Sequence, residues 1–280
     1  MKQFILTLRW LYKYAIFFRK AVTANDLHQP VVYQFARWVV EDRRPFYAFF
    51  QIRALRKRLL RSREYLALDD HGAGSKISSA TRQTIGELAR YQALSEKEGI
   101  WLFRMVQHFK PQGILELGTS LGLSTLYLKL GARETPLLTI EGSPEPARQA
   151  LRNLEHLNAG NYHLKVGTFA EALQELRVND RRFDFFYLDG DHRGEATRDY
   201  LSQCRALAGE RFVVVLADIY WSADMEQAWK NICRQEDIPL SIDLFHFGVL
   251  IFDPYIRIKQ HYYLVRRAQK PWRTGIGLFS

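Results

Sequence analysis

The chain has 280 residues, of which 47% are hydrophobic and 25% charged, and its net charge is +10. That length supports a large core with an appendage, and the composition is that of an ordinary globular protein, not a fibrous or disordered one. The two cysteines, Cys204 and Cys233, are too few for a disulfide framework or a zinc site, and they fit a reducing, cytoplasmic setting.

In chain order, the first predicted element is an amphipathic helix over Lys2 to Lys20. Phe4, Leu8, Leu11, Tyr12, Ala15 and Phe18 line one face, which is expected to be buried; Lys2, Arg9, Lys13 and Lys20 line another. Arg9 and Lys13 interrupt the apolar run and no small-residue cleavage site follows, so the segment reads neither as a signal peptide nor as a membrane span. A second helix is expected after Pro30 and a third over Phe46 to Leu60, since proline fits a first helical turn. Asp69 to Lys76 reads as a loop, with Ser75 and Lys76 either folding over the site described below or forming a solvated turn. Helices over Thr81–Gln92 and Ser95–Phe109 lead to Pro111.

From Gly113 the rhythm changes. Short apolar runs alternate with helical patterns, as in a parallel sheet with crossover helices. The expected strands are Ile114–Leu117, Leu137–Glu141, Tyr162–Val166, Phe183–Leu188, Phe212–Leu216, Ser241–Leu244 and Val249–Phe252. The expected helices between them are Ser124–Leu130, Pro144–Leu157, Ala170–Leu176, Gly194–Ala206 and Ala223–Arg234. The gap before the last strand is too short for a helical crossover, so the final pair must be a hairpin. The predicted fold is therefore α/β: a Rossmann-like, seven-stranded, mostly parallel sheet with a terminal antiparallel hairpin and an N-terminal helical extension.

Charge follows the same division. Residues 1–64 carry +10 and residues 257–280 carry +6, leaving −6 for the middle. We divide the chain into a basic helical extension (1–80), a central domain (81–256) and a basic tail (257–280). An acidic middle speaks against a specific nucleic-acid site, while the basic ends are suited to peripheral contact with an anionic membrane. The run of basic residues from Arg53 to Arg63 reads as a solvated helix face.

The polar constellations sit at strand ends, where open α/β sheets bind ligands. The first strand ends in Glu116-Leu117-Gly118-Thr119-Ser120-Leu121-Gly122-Leu123-Ser124. Such a loop turns sharply and feeds a helix N-terminus. A dinucleotide site would show Gly-x-Gly-x-x-Gly; Glu116 would instead repel a pyrophosphate and attract an ammonium. Glu141 closes the second strand, about 20 residues on, where an acid can bind ribose hydroxyls, and Gly142 follows it. Gly167-Thr168-Phe169 lies where an adenine would sit. Asp189-Gly190-Asp191-His192 and Asp218-Ile219-Tyr220-Trp221 close the fourth and fifth strands.

These residues resemble a class I S-adenosylmethionine (SAM) dependent methyltransferase, near the O-methyltransferase branch that includes catechol O-methyltransferase, over Ile114 to Phe252. The flanking His28-Gln29-Pro30, Asp70 to Lys76 and Asp218 to Ser222 resemble a bacterial subgroup of methyltransferase-like proteins, which implies no particular acceptor. The resemblance implies SAM bound by Glu116, Gly118, Ser120, Gly122, Ser124, Glu141, Gly142, Thr168, Phe169 and Asp189, and methylation of an oxygen on a small molecule. It also implies Mg2+ on Asp189 and Asp218, although Ala217 and Ile219 stand where a further oxygen ligand is expected; Asp191 is a substitute ligand, or else the cap of the following helix. His192 is either the general base or a helix-start residue bonded to Asp189 or Asp191. Trp221, Tyr220, Phe245, His246 and Phe247 either line an acceptor pocket or pack. Two other functions stay open at this point: a non-catalytic module that binds RNA or membrane through its basic ends, and a nicotinamide-dependent oxidoreductase.

Overall fold

The computed structural model describes residues 2–69 and 82–273, with residues 2–7 described by backbone alone. The loop expected at Asp69 to Lys76, including Ser75 and Lys76, therefore lies outside the described residues, apart from Asp69.

Helix α1 (Lys2–Lys20) leads to α2 (Pro30–Phe35), which continues as a wider π-type turn through Val40, and then to α3 (Tyr47–Leu59). Gln29 caps α2: its side-chain oxygen accepts the Val32 N–H at 2.7 Å, and Pro30 takes the first turn. Strands β1 (Tyr65–Ala67) and β2 (Arg82–Thr84) pair as a small antiparallel ribbon. Within the segment expected as one helix, Thr81–Gln92, residues Arg82–Thr84 are strand, because Thr84 forms a capping box with Glu87 and starts α4 (Ile85–Tyr91) there. Helix α5 (Glu96–Phe109) starts from a second capping box, Ser95 with Glu98.

The central sheet follows: β3 (Ile114–Leu117), α6 (Leu123–Gly131), β4 (Leu137–Glu141), α7 (Pro144–His156), β5 (Tyr162–Val166), α8 (Phe169–Val178), β6 (Phe183–Leu188), α9 (Gly194–Ala206), β7 (Ala208–Ala217), α10 (Ala223–Arg234), β8 (Leu240–Asp243) and β9 (Phe247–Phe252). An eighth strand, β10 (Gln260–Tyr263), corrects the expected count of seven and the reading of 257–280 as a tail. It pairs in parallel with β8, and a half-buried edge strand carries too weak an apolar pattern to stand out in sequence. The order is β10-β8-β9-β7-β6-β3-β4-β5, with β9 antiparallel to both neighbours and all other pairs parallel. The chain runs outward from β3 to β5 and returns to β6 on the other side. The carboxyl ends of β3 and β6 therefore flank the switch point at which such sheets bind ligands.

Alternate residues of the strands feed two cores. Ile114, Phe185, Tyr187, Val213 and Val249 pack with Val32, Phe35, Ile52, Leu88 and Leu102, so the N-terminal helices share one continuous core with a face of the sheet. Leu115, Phe186, Val214 and Leu250 pack on the other face with Leu173, Leu201 and Ile232. No helix among the described residues is long and apolar enough to cross a membrane.

Among the described side chains, helix α1 docks by a face that shares only Phe18, half-buried, with the one expected. Phe17 is 1% exposed, and Trp10, Tyr14 and Phe17 surround the Phe245 ring at centroid distances of 5.0, 5.0 and 5.3 Å. Lys13, expected outside, is half-buried: its ammonium pairs with Glu226 at 2.7 Å and donates to the Tyr220 carbonyl at 3.3 Å. Leu8, Leu11 and Tyr12 face outward. Aromatic rings at 10, 14 and 17 fit the Phe245 wedge better than the aliphatic stripe does, and Glu226 satisfies the Lys13 ammonium that this docking buries.

Candidate active site

The glycine loop is shaped first by backbone crowding. Gly118 has φ +102°, and a Cβ there would lie 2.1 Å from the Asp189 carbonyl oxygen. The ends of β3 and β6 are laced together just at this point, with the Asp189 N–H donating to the Leu117 carbonyl at 2.8 Å. Only glycine lets the strands approach so closely while turning left-handed. Gly122, at φ +75°, opens α6. Asn153, fully buried on α7, donates to the Leu121 carbonyl at 2.9 Å and holds the loop from behind.

Glu116 is completely buried under this loop. Its Oε2 accepts the Thr125 hydroxyl at 2.6 Å, while its Oε1 has no hydrogen-bond partner among the described residues. Burial pushes its carboxyl up to about 7, against the opposing bonds of Ser124, Thr125 and Thr139. Ser124, also buried, is a further partner of Glu116. Glu141, at the end of β4, accepts the Ser120 N–H at 2.7 Å and the Ser143 N–H at 2.9 Å; burial raises its carboxyl, and these N–H bonds with those of Thr119 and Gly142 oppose the rise. Ser120 itself has φ +46°. The strand β1 side of the small ribbon rests on this corner, since the Asp69 N–H donates to Ser143 Oγ at 3.0 Å. The Thr168 hydroxyl is engaged in the capping box of α8, donating to Glu171 at 2.7 Å. Phe169 packs over Gly190, where a Cβ would lie 2.6 Å from its ring, and meets Tyr200 edge-on at 5.5 Å.

A second cluster lies at the ends of β6 and β7. His192 Nε2 is 4.0 Å from Asp189 Oδ1 and 3.9 Å from Asp218 Oδ2. The three side chains offer ligand atoms all within 4.8 Å of one another. Tyr187, buried on β6, donates its hydroxyl to Asp189 Oδ2 at 2.8 Å. Burial raises the Asp189 carboxyl, and burial followed by repulsion from Asp189 takes Asp218 to about 6. Such a pair gains from any cation placed between the two, whether imidazolium or metal.

Asp191 takes no part in the cluster. Its carboxylate is held by the Arg193 guanidinium at 2.5 and 2.7 Å and by the Tyr200 hydroxyl at 3.2 Å. Nor does its side chain cap α9: the Gly194 N–H donates to Asp224 Oδ2 at 2.6 Å, an acid supplied by α10. Both expectations for Asp191 are corrected by its arginine neighbour, which outcompetes backbone N–H groups with a two-pronged charged contact.

The aromatic group divides. The Trp221 ring stands 5.9 Å from His192 and is 41% exposed. His246 pairs with Glu98 at 3.2 Å. Tyr220, Phe245 and Phe247 are packing residues: Tyr220 stacks on Phe245 and donates to the buried Asp243 at 2.7 Å, and Phe247 packs edge-on against Tyr187. Glu98 is a site residue that sequence reasoning missed. Its carboxylate also raises Asp189 and Asp218 electrostatically, yet in sequence it reads only as the last member of a Ser-x-x-Glu capping box.

Residues 115–219 match the family model of a methyltransferase domain. No curated protein matches the sequence. Among solved structures, the chain is similar to an O-methyltransferase from Bacillus cereus in complex with SAH (TM-score 0.50, 20% identity, 58% of this chain and 84% of that one). It is also similar to the O-methyltransferase TomG from Streptomyces achromogenes, in complex with SAM (TM-score 0.54, 17% identity, 80% and 96%). A third is the SAH-bound methyltransferase PaMTH1 from Podospora anserina (TM-score 0.54, 15% identity, 81% and 96%). The matched segment spans the glycine loop, Glu141 and the Asp189–His192–Asp218 cluster, and the central sheet has the Rossmann-like fold of the methyltransferase structures it is similar to.

Proposed function

We propose that the protein transfers a methyl group from SAM to an oxygen of a small molecule. The observation that carries this reading is the placement of two distinct acid sites on either side of the β3–β6 switch point: a buried glutamate under the glycine loop, and an acid–imidazole cluster beside an exposed tryptophan. When bound, SAM supplies a sulfonium-borne methyl group and carries an ammonium, ribose hydroxyls and an adenine. The orphaned Glu116 Oε1 fits the ammonium, Glu141 the hydroxyls, and Phe169, with the loop at Gly142 and Thr168, the adenine edge. The pyrophosphate of a nicotinamide cofactor has no counterpart in this donor set, because the loop stands over a carboxylate.

On the acceptor side, His192 takes the hydroxyl proton. Asp189 and Asp218 stabilise the imidazolium that forms, and Tyr187 fixes the Asp189 carboxylate. Trp221 and His246 bound the space beside it. The same three donors also favour a metal reading. Two carboxylates and one imidazole suit a divalent ion, although Mg2+ prefers an all-oxygen set. Asp189, His192 and Asp218 would hold such an ion, which would supply Lewis-acid chemistry that lowers the proton affinity of an acceptor hydroxyl.

Titration calorimetry with SAM, and with NAD as the competing cofactor, tests the proposal, followed by transfer of labelled methyl to a panel of hydroxylated small molecules. Glu141→Ala is expected to weaken SAM binding by about 1–3 kcal/mol through lost charge-assisted hydrogen bonds. Unchanged affinity in that variant would remove Glu141 from the ribose site; NAD binding in place of SAM would overturn the proposal.

The Glu116 assignment predicts a pH dependence. An ammonium is held by the ionised carboxylate, and this carboxyl ionises only at about 7. Below that pH the unliganded protein holds the proton, and cofactor binding must expel it. Affinity is therefore expected to fall by up to about tenfold per unit as pH drops below neutrality, and to level off above it. Calorimetry in buffers on either side of neutrality measures this slope, and Glu116→Gln should flatten it. A wild-type affinity that is flat across the range would mean that Glu116 does not meet the ammonium.

A further inference from the structure

Helix α1 turns an apolar stripe to the outside. Leu8, Leu11, Tyr12 and Ala15 recur at helical spacing on one face and all are exposed, Leu11 by 51% and Tyr12 by 68%; Ile16 borders them at 37%. The opposite face is the one docked on Phe245, so this stripe is left over after the helix has made its packing contacts. Arg9 and Arg19, both exposed, flank it. Residues 2–20 contain five Lys or Arg and no acid.

A second acid-free basic segment lies against the first. Lys270 donates to the Ala21 carbonyl at 2.6 Å and sits 4.6 Å over the Phe18 ring, and Gln269 donates to the Tyr14 hydroxyl at 3.1 Å. The arginines of this segment are engaged where it packs: Arg267 pairs with Glu41 at 3.8 Å, Arg273 with Asp26 at 3.2 Å, and Arg266 donates to the Val40 carbonyl at 2.8 Å, so the cations that border the stripe are Arg9 and Arg19 of α1. Two stretches more than 240 residues apart in sequence thus meet at Tyr14, Phe18 and Ala21, away from the stripe, which stays exposed.

We propose that this surface docks on the face of an anionic lipid bilayer, with Leu8, Leu11, Tyr12 and Ile16 seated at the headgroup–acyl boundary and the flanking arginines at the phosphates. Charge decides the occupant. A second copy of the chain meeting the same patch across a two-fold axis would bring two such helices, whose exposed Arg9, Arg19 and Lys20 are all cationic, face to face. A nucleic acid satisfies the cations but leaves the aliphatic stripe in water. An anionic bilayer satisfies both, in the manner of interfacial amphipathic helices whose apolar face is buried while basic side chains and tryptophan settle at the interface. The inference stands on surface composition and holds whatever the methyl acceptor is.

Co-sedimentation of the full chain with vesicles tests it, using phosphatidylcholine alone and phosphatidylcholine with roughly one-third phosphatidylglycerol. The wild type is expected to partition at least about tenfold more strongly onto the anionic vesicles, and to lose most of that preference in high salt. The double substitution Leu8→Glu/Leu11→Glu is expected to cut anionic binding by about tenfold or more with an unchanged unfolding midpoint, since neither side chain packs on the domain. Arg9→Glu/Arg19→Glu should do the same by a different route. Equal binding by the Leu8→Glu/Leu11→Glu variant and the wild type would overturn the proposal. So would absence of vesicle binding by the wild type, concentration-dependent dimerisation that both double variants abolish, or polyuridylate binding that displaces the vesicles and is indifferent to Leu8→Glu/Leu11→Glu.

Discussion

Replacing His192 with alanine is expected to lower the rate of methyl transfer by about 10²- to 10⁴-fold while leaving SAM affinity nearly unchanged. The imidazole lies 3.9–4.0 Å from two carboxylates that its positive charge would stabilise, and on the far side of the β3–β6 switch point from the glycine loop. Its loss should therefore appear in kcat and not in cofactor binding. The variant also separates the two readings of the cluster. If His192 acts as a base, added imidazole restores part of the rate, and a chelator leaves the wild type active. If Asp189, His192 and Asp218 hold a metal, chelation silences the wild type, and Mg2+ or Mn2+ restores it. Asp218→Asn should slow both routes, since it removes one of the two flanking charges. A His192→Ala protein with wild-type turnover and no metal requirement would leave the cluster without a catalytic part.

Gly118→Val is expected to abolish measurable SAM binding, a loss of more than about 100-fold, and to lower the unfolding midpoint by several degrees. Residue-level geometry explains both effects. A valine at φ +102° costs about 1–3 kcal/mol in backbone strain. Its Cβ would also fall 2.1 Å from the Asp189 carbonyl oxygen, a backbone atom that cannot swing aside without opening the β3–β6 pairing. From sequence, the glycine reads as a sharp turn at a ligand; the structure shows that the neighbouring strand also claims the space a side chain would need. Cofactor binding fails because the same shift moves Ser120 and the corner held by Glu141. Calorimetry with SAM and a thermal melt of the same preparation check the prediction. Full affinity at an unchanged midpoint would mean that the loop tolerates a side chain and is misplaced here.

Much of the central domain was legible without coordinates. Strands β3, β4, β5 and β6 begin and end where alternation and apolar runs place them, because buried parallel strands bounded by glycines and helix caps leave a strong local pattern. The loop from Glu116 to Ser124, the acid at 141 and the acids at 189 and 218 follow from the same rule, since each closes a strand. The short return from β8 to β9 fixes their antiparallel pairing by length alone.

Other features were decided only by contacts distant in sequence. Asp191 turns from the cluster because Arg193 and Tyr200 hold it, and Asp224, 30 residues on, takes the α9 cap. Glu98 meets His246 and acts electrostatically on Asp189 and Asp218 because α5 packs beside them. Strand β10 exists because β8 offers it an edge. The clearest case is α1. Periodicity correctly gives a helix with an apolar stripe and basic flanks, but a two-sided aromatic helix contains no local signal for which side is buried. Phe245 and Glu226, more than 200 residues away, settle that choice by accepting Trp10, Tyr14, Phe17 and Lys13. They leave Leu8, Leu11 and Tyr12 facing out, because local sequence specifies an amphipathic element while only the shape and charge of the surface it meets select its inner face.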